Sequence, residues 1–123
     1  RFQELDSIIE QREDNVLYFR KLLSKINGVY PLRINPDVDY SWYVYSFEVE
    51  NNHEVARKMT ENGIPLRGGY ITSPLNMLPI YEYQSCPVCE DVWNHKIVVT
   101  DVIGKSKADM DNFAKVLNEV MNG

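Results

Sequence analysis

The chain reads as an α+β domain with a small, mainly antiparallel sheet of about three strands flanked by helices. Apolar residues recur at helical spacing at both ends of its 123 residues. Two runs rich in aromatic and β-branched residues lie between, and the elements follow in the order helix, strand, helix, loop, helix, strand, helix. The length suits one domain with a single core, so residues 1–123 are taken as one unit.

The first helix is expected over residues 2–27. Phe2, Leu5, Ile9, Val16, Phe19, Leu23 and Ile26 make its stripe, and Asn27-Gly28 supply the stop. Arg12 interrupts that stripe, so the first turns are expected to face something other than this core. Residues 29–39, with Pro31 and Pro36, read as a connector. SWYVYSFEV carries the strongest strand signal and is placed in a strand over 40–49, with Ser41, Tyr43, Tyr45, Phe47 and Val49 on one face and Trp42, Val44, Ser46 and Glu48 on the other. A short helix over 53–62 is capped by Asn52, turns Val55, Ala56 and Met59 inward, and ends before Gly63.

Residues 63–81, GIPLRGGYITSPLNMLPIY, have no period. Loops this long inside a compact domain are usually functional or disordered, and the apolar and aromatic content here argues for a packed loop with a task. Pro87 suits a first helical position and opens a helix over 87–95. The apolar run beginning at Ile97 gives a second strand over 97–101. Ser106 and Asp109 resemble a capping box for a last helix over 106–121, whose stripe is Met110, Phe113, Ala114, Leu117, Val120 and Met121.

A net charge of −5 offers no broad basic field for a phosphate backbone, so nucleic acid is not an expected partner. No apolar run approaches the ~20 residues that span a bilayer, so no membrane partner is expected. Two cysteines make no secreted disulfide framework, and a reducing, cytoplasmic setting is the default. The start at Arg1, already inside a helical pattern, suggests that something belongs upstream.

Visible catalytic apparatus is lacking. Cys86-Pro87-Val88-Cys89 is a CxxC at a helix start, but it follows a polar segment and not a buried strand. One cap-adjacent cysteine and one small buried cysteine is the favoured reading over redox work. His53 and His95 lack any paired spacing for a metal. Arg67 is the one cation of the long loop; its flanking glycines let a ligand approach, and a guanidinium grips a carboxylate or phosphate with two parallel bonds. A surface arginine in a glycine turn is the alternative. Tyr70 could be a core aromatic with its hydroxyl at the surface, and for Trp42 a place in the core is the favoured reading.

The order Gly63-Ile64-Pro65, Gly69-Tyr70, Pro74-Leu75, Pro79 and Tyr81 resembles the small C-terminal domain of the DegT/DnrJ/EryC1/StrS aminotransferases. CPVCEDVW is similar to that family's CPVAE helix start, and the first helix, SWYVYSFEV and SKADMDNFAKVLNEV are similar to its elements in the same order. The resemblance covers nearly the whole chain. It implies the small domain of a fold-type-I enzyme that uses pyridoxal phosphate to aminate a keto-sugar, usually nucleotide-linked, or a cyclitol ketone, with glutamate or glutamine the common amino donor.

The cofactor and its Schiff-base lysine would belong to a large domain preceding this one, and none is expected on this chain alone. The parent is expected to be a homodimer and a transaminase, and this chain alone to be inactive. The resemblance makes the loop a wall of the substrate pocket, with Arg67, Tyr70, Asn76, Trp42 and Ser41 as substrate-binding residues. Asn76 stands where one branch has Tyr and others His, and Cys89 replaces a usual Ala, which favours packing. A free-standing ligand-binding or interaction module, without the catalytic domain, is the competing expectation.

Overall fold

A computed structural model describes residues 2–69, 73–101 and 105–123, with side chains from Glu4 onward. Its elements are α1 (Phe2–Leu23), β1 (Val29–Pro31), β2 (Val44–Val49), α2 (Asn52–Glu61), β3 (Arg67–Gly68), a 3-10 turn (Leu75–Met77), α3 (Pro87–Asp91) continuing as a π-helical turn (Val92–Lys96), β4 (Ile97–Asp101) and α4 (Lys107–Asn122). The sheet has four strands in the order β1-β2-β4-β3, and every neighbouring pair is antiparallel. The α+β architecture is therefore as expected, with one strand more than three.

Register decides which side chains meet the helices, because residues directly opposite on neighbouring strands share a face. Phe47 lies opposite Val98 and Tyr45 opposite Thr100, and all four are buried. On that face Phe19 of α1 meets Phe113 of α4 edge-on at 4.8 Å, and Phe113 in turn lies 6.3 Å from Phe47. Val55, Ala56 and Met59 of α2 complete the same core. The first and last helices thus pack together on one face of the sheet, as their stripes require. The opposite face carries Tyr30, Val44, Ser46, Glu48, Val99 and Arg67.

The stripe of α1 splits where Arg12 interrupts it. Val16, Phe19 and Leu23 are wholly buried, whereas Leu5 is 49% exposed. Arg12 itself donates from Nη1 to the Trp42 carbonyl at 3.1 Å. The helix stops at Leu23 and not at residue 27: the amides of Lys25 and Ile26 reach back only three residues, to Leu22 and Leu23, which tightens the end of the helix into turns.

Three local expectations are corrected. The connector contains a strand, β1, because Val29–Pro31 pairs with the free edge of β2; Pro31 is tolerated on an edge strand. The main strand begins at Val44, not at residue 40. Asn52 does not cap α2 from outside. Asn51 takes that position in the left-handed region (φ 55°) without a side-chain cap bond, and Asn52 is buried inside the helix.

The cap of α4 is as read from Ser106 and Asp109. Ser106 Oγ accepts from the Asp109 amide at 3.1 Å, and the Asp109 carboxylate accepts from the Ser106 amide at 3.0 Å. That exchange, the backbone bond foremost, lowers the Asp109 pKa below its ordinary value. Among the described residues no helix is long and apolar enough to cross a membrane.

Candidate functional site

The segment from Pro74 to Asp91 folds back on itself and leaves a cleft of about 420 Å³ lined by Leu75, Asn76, Tyr81, Glu82, Gln84 and Cys86. Its walls are made of turns: the amides of Met77, Leu78 and Tyr81 each bond the carbonyl three residues earlier. Turns alone would not hold a cleft open. A polar clamp does so, centred on Glu90 in the first turn of α3. Asn76 Nδ2 donates to the Gln84 carbonyl at 2.8 Å and to Glu90 Oε1 at 3.2 Å, and the Tyr83 hydroxyl donates to the same Oε1 at 2.6 Å. The bond to Glu90 is the main reason that the Tyr83 pKa is raised, since an ionised phenol would face a carboxylate.

Chemically the cleft presents neutral amides, a phenol, a thiol and the Glu82 carboxylate, with Leu75 and the Tyr81 ring as apolar surface. Such walls can take a ligand rich in hydroxyls, because amides both donate to and accept from hydroxyls and a carboxylate accepts from them.

The five expected substrate residues do not share this cleft. Asn76 lines it. Trp42 borders a smaller hollow of about 180 Å³ with Arg33, Ile34, Tyr40, Val44 and Ser46, its ring stacked on Tyr40 at 4.9 Å. Ser41 is exposed and borders neither hollow. Arg67 is exposed on β3, opposite Val99, and its guanidinium makes no hydrogen bond or ion pair among the described residues. Tyr70 lies outside the described residues.

Arg67 stands where it does because its two neighbours are glycines. At Gly68 a Cβ would come within 3.0 Å of the His53 Cα. Gly69 has φ 76°, and its amide donates to the Ile97 carbonyl at 2.8 Å. Asn52 braces the same corner from below. Its Nδ2 donates to the Trp93 and Ile97 carbonyls at 2.9 and 2.8 Å, and its Oδ1 accepts from the His53 amide.

Sequence reasoning missed Glu90 and Asn52 as organisers of the site. Nothing in the neighbourhood of Glu90 along the chain signals Asn76 or Tyr83. The packing role given to Cys89 is also corrected, since both cysteines are exposed. A helix start at the rim of a cleft leaves the third helical position facing outward, whatever its apolar neighbours suggest.

Among the described residues that line the cleft there is no lysine to hold pyridoxal phosphate. Six of the lysines are exposed, and the seventh, Lys105, lies with its Nζ 5.7 Å from the Phe113 ring centroid. Nor do the described residues hold any group of three His, Cys, Asp or Glu side chains able to bind a metal.

Comparison with solved structures finds the same fold. DesV of S. venezuelae, solved in complex with a ketimine intermediate, superposes with a TM-score of 0.86 at 17% identity, over 99% of this chain and 34% of its own. The sugar aminotransferase CalS13 of Micromonospora echinospora gives 0.83 at 14% identity, over 96% of this chain and 32% of its own. A DegT DnrJ EryC1 StrS aminotransferase of Brucella abortus gives 0.80 at 21% identity, over 95% and 32%. This chain therefore spans about one third of the length of the solved chains it matches. No curated protein matches it. The family model for the DegT/DnrJ/EryC1/StrS aminotransferases matches residues 1–118, and the chain belongs to that family.

Proposed function

We propose that this chain is the small C-terminal domain of a pyridoxal-phosphate-dependent aminotransferase acting on a keto-sugar, nucleotide-linked, or on a cyclitol ketone. Its long loop contributes part of the substrate-pocket wall. The observation that carries the reading is the cleft held by the Asn76–Glu90–Tyr83 clamp, formed by the segment whose motif order resembles the family's. The membership over residues 1–118 supports it, as does the likeness in fold to a sugar aminotransferase.

Substrate contacts are assigned to Asn76 in the cleft, to Arg67 on the exposed β3, and to Tyr70, Trp42 and Ser41. The cofactor belongs to a large domain preceding this one in a homodimeric, cytoplasmic parent, and this chain alone is inactive. The competing reading is a free-standing binding module.

Steady-state kinetics of the parent enzyme test the proposal. An arginine that binds substrate and transition state alike adds uniform binding, so Arg67→Ala is expected to raise KM at nearly unchanged kcat. The expected loss is about 1.5–3 kcal/mol for a charge-assisted bond. Arg67→Lys recovers part of it, because a point charge lacks the planar fork. An unchanged KM in both variants returns Arg67 to a surface role. Saturable binding of a sugar or cyclitol by the 123-residue chain alone would favour the free-standing module.

A further inference from the structure

The CxxC of α3 takes no part in the core or in the polar clamp. Cys86 is the N-cap of α3 and Cys89 its third helical residue, and both are exposed. We propose that they form a reversible dithiol–disulfide site at the rim of the cleft, oxidised by low-molecular-weight disulfides.

Two features would let the sulfurs come within reach of each other. On a regular helix Cβ atoms three residues apart are about 5–6 Å from each other, wider than the ~3.8 Å of a disulfide. Cys86, however, lies outside the helix with φ −131° and ψ 76°, so rotation at the cap residue closes the difference without breaking a helical turn. The Cys86 carbonyl still accepts from the Glu90 amide at 2.9 Å, which keeps the turn wound while the side chain swings. Pro87 between the two has a fixed φ and no amide hydrogen to lose. The ring to be closed therefore contains one stiff residue and one free one, which raises the effective concentration of each thiol at the other.

The exchange balances without another reactant. One protein thiolate attacks a sulfur of the small disulfide, whose S–S bond breaks and whose other half leaves with the electron pair and takes a proton. The second protein thiolate attacks the protein sulfur of this mixed disulfide, the intramolecular S–S bond forms, and the second small thiol leaves. Two protein thiols are oxidised and one small disulfide is reduced to two thiols.

The chain holds only these two cysteines, so intact mass in a glutathione redox buffer reads the site directly. The expected product is the monomer lighter by two hydrogens, outnumbering the mixed disulfide by at least about tenfold. Cys86→Ser and Cys89→Ser, both at exposed positions, should each stop at the mixed disulfide. Accumulation of mixed disulfide in the parent chain, covalent dimers in place of the internal bridge, or no oxidation at a poise that oxidises a free dithiol would each overturn the proposal.

Discussion

Replacing Asn52 by alanine takes a donor from both the Trp93 and Ile97 carbonyls and an acceptor from the His53 amide. The site is wholly buried, so water cannot readily supply the missing partners. A loss of about 1–3 kcal/mol in urea unfolding is expected. Asn52→Asp should cost more, because a carboxylate would then face two carbonyl oxygens. The glycines of the loop separate two kinds of cost. Gly63 has φ 80° with open space around it, whereas Gly69 combines φ 76° with Trp93 ring atoms 2.8 Å from any added Cβ. Gly63→Ala is expected to lose about 1 kcal/mol from backbone strain alone and Gly69→Ala roughly 1–3 kcal/mol more from the clash, measured as the difference in unfolding free energy. If the two variants lose the same, the Trp93 contact is not the constraint described above.

Among the elements, α4 was the most readable from sequence, because its cap and its stripe are both local patterns. Its cap also makes a pH prediction. The native Asp109 pKa is depressed by the Ser106 bonds, so its contribution is present above the ordinary aspartate pKa and is lost as pH falls through the lower native value. Ser106→Ala should cost about 1 kcal/mol near neutral pH. The deficit should shrink only slightly in acid, because the Ser106 amide, which lowers the Asp109 pKa most, still donates in the variant, as urea titrations at several pH values would show. β1 and β3 were not readable. Val29–Pro31 and Arg67–Gly68 are too short for any alternation, and each exists because a partner strand elsewhere in the chain offers unpaired backbone groups. The cleft shares that limit. The motif pointed to its segment, while the residues that hold it, Glu90 above all, act across gaps that no periodicity marks.

For the molecule as a whole, one face of the sheet is sealed by α1, α2 and α4 through Phe19, Phe47 and Phe113. The segment from Leu75 to Val88 is built differently. Ile80 is 80% exposed and Val88 78% exposed, so order there rests on turns and the Glu90 clamp more than on burial. The π-helical turn Val92–Lys96 joins that segment to β4. A π turn holds one residue more than an α turn, and it runs directly into a strand whose faces are set by a period of two. It therefore acts as slack in the chain, a place where length can change without moving the strand. Deleting Asn94 should let the turn tighten to α geometry and leave Phe47 opposite Val98. Deleting Val99 would carry Thr100 and Asp101 each to the wrong face. The expected outcome is a folded, modestly destabilised protein for the first deletion and an unfolded one for the second, by circular dichroism and thermal melting. Equal damage from both would mean that the wide turn is as tightly specified as the strand, leaving related chains no room there to gain or lose a residue.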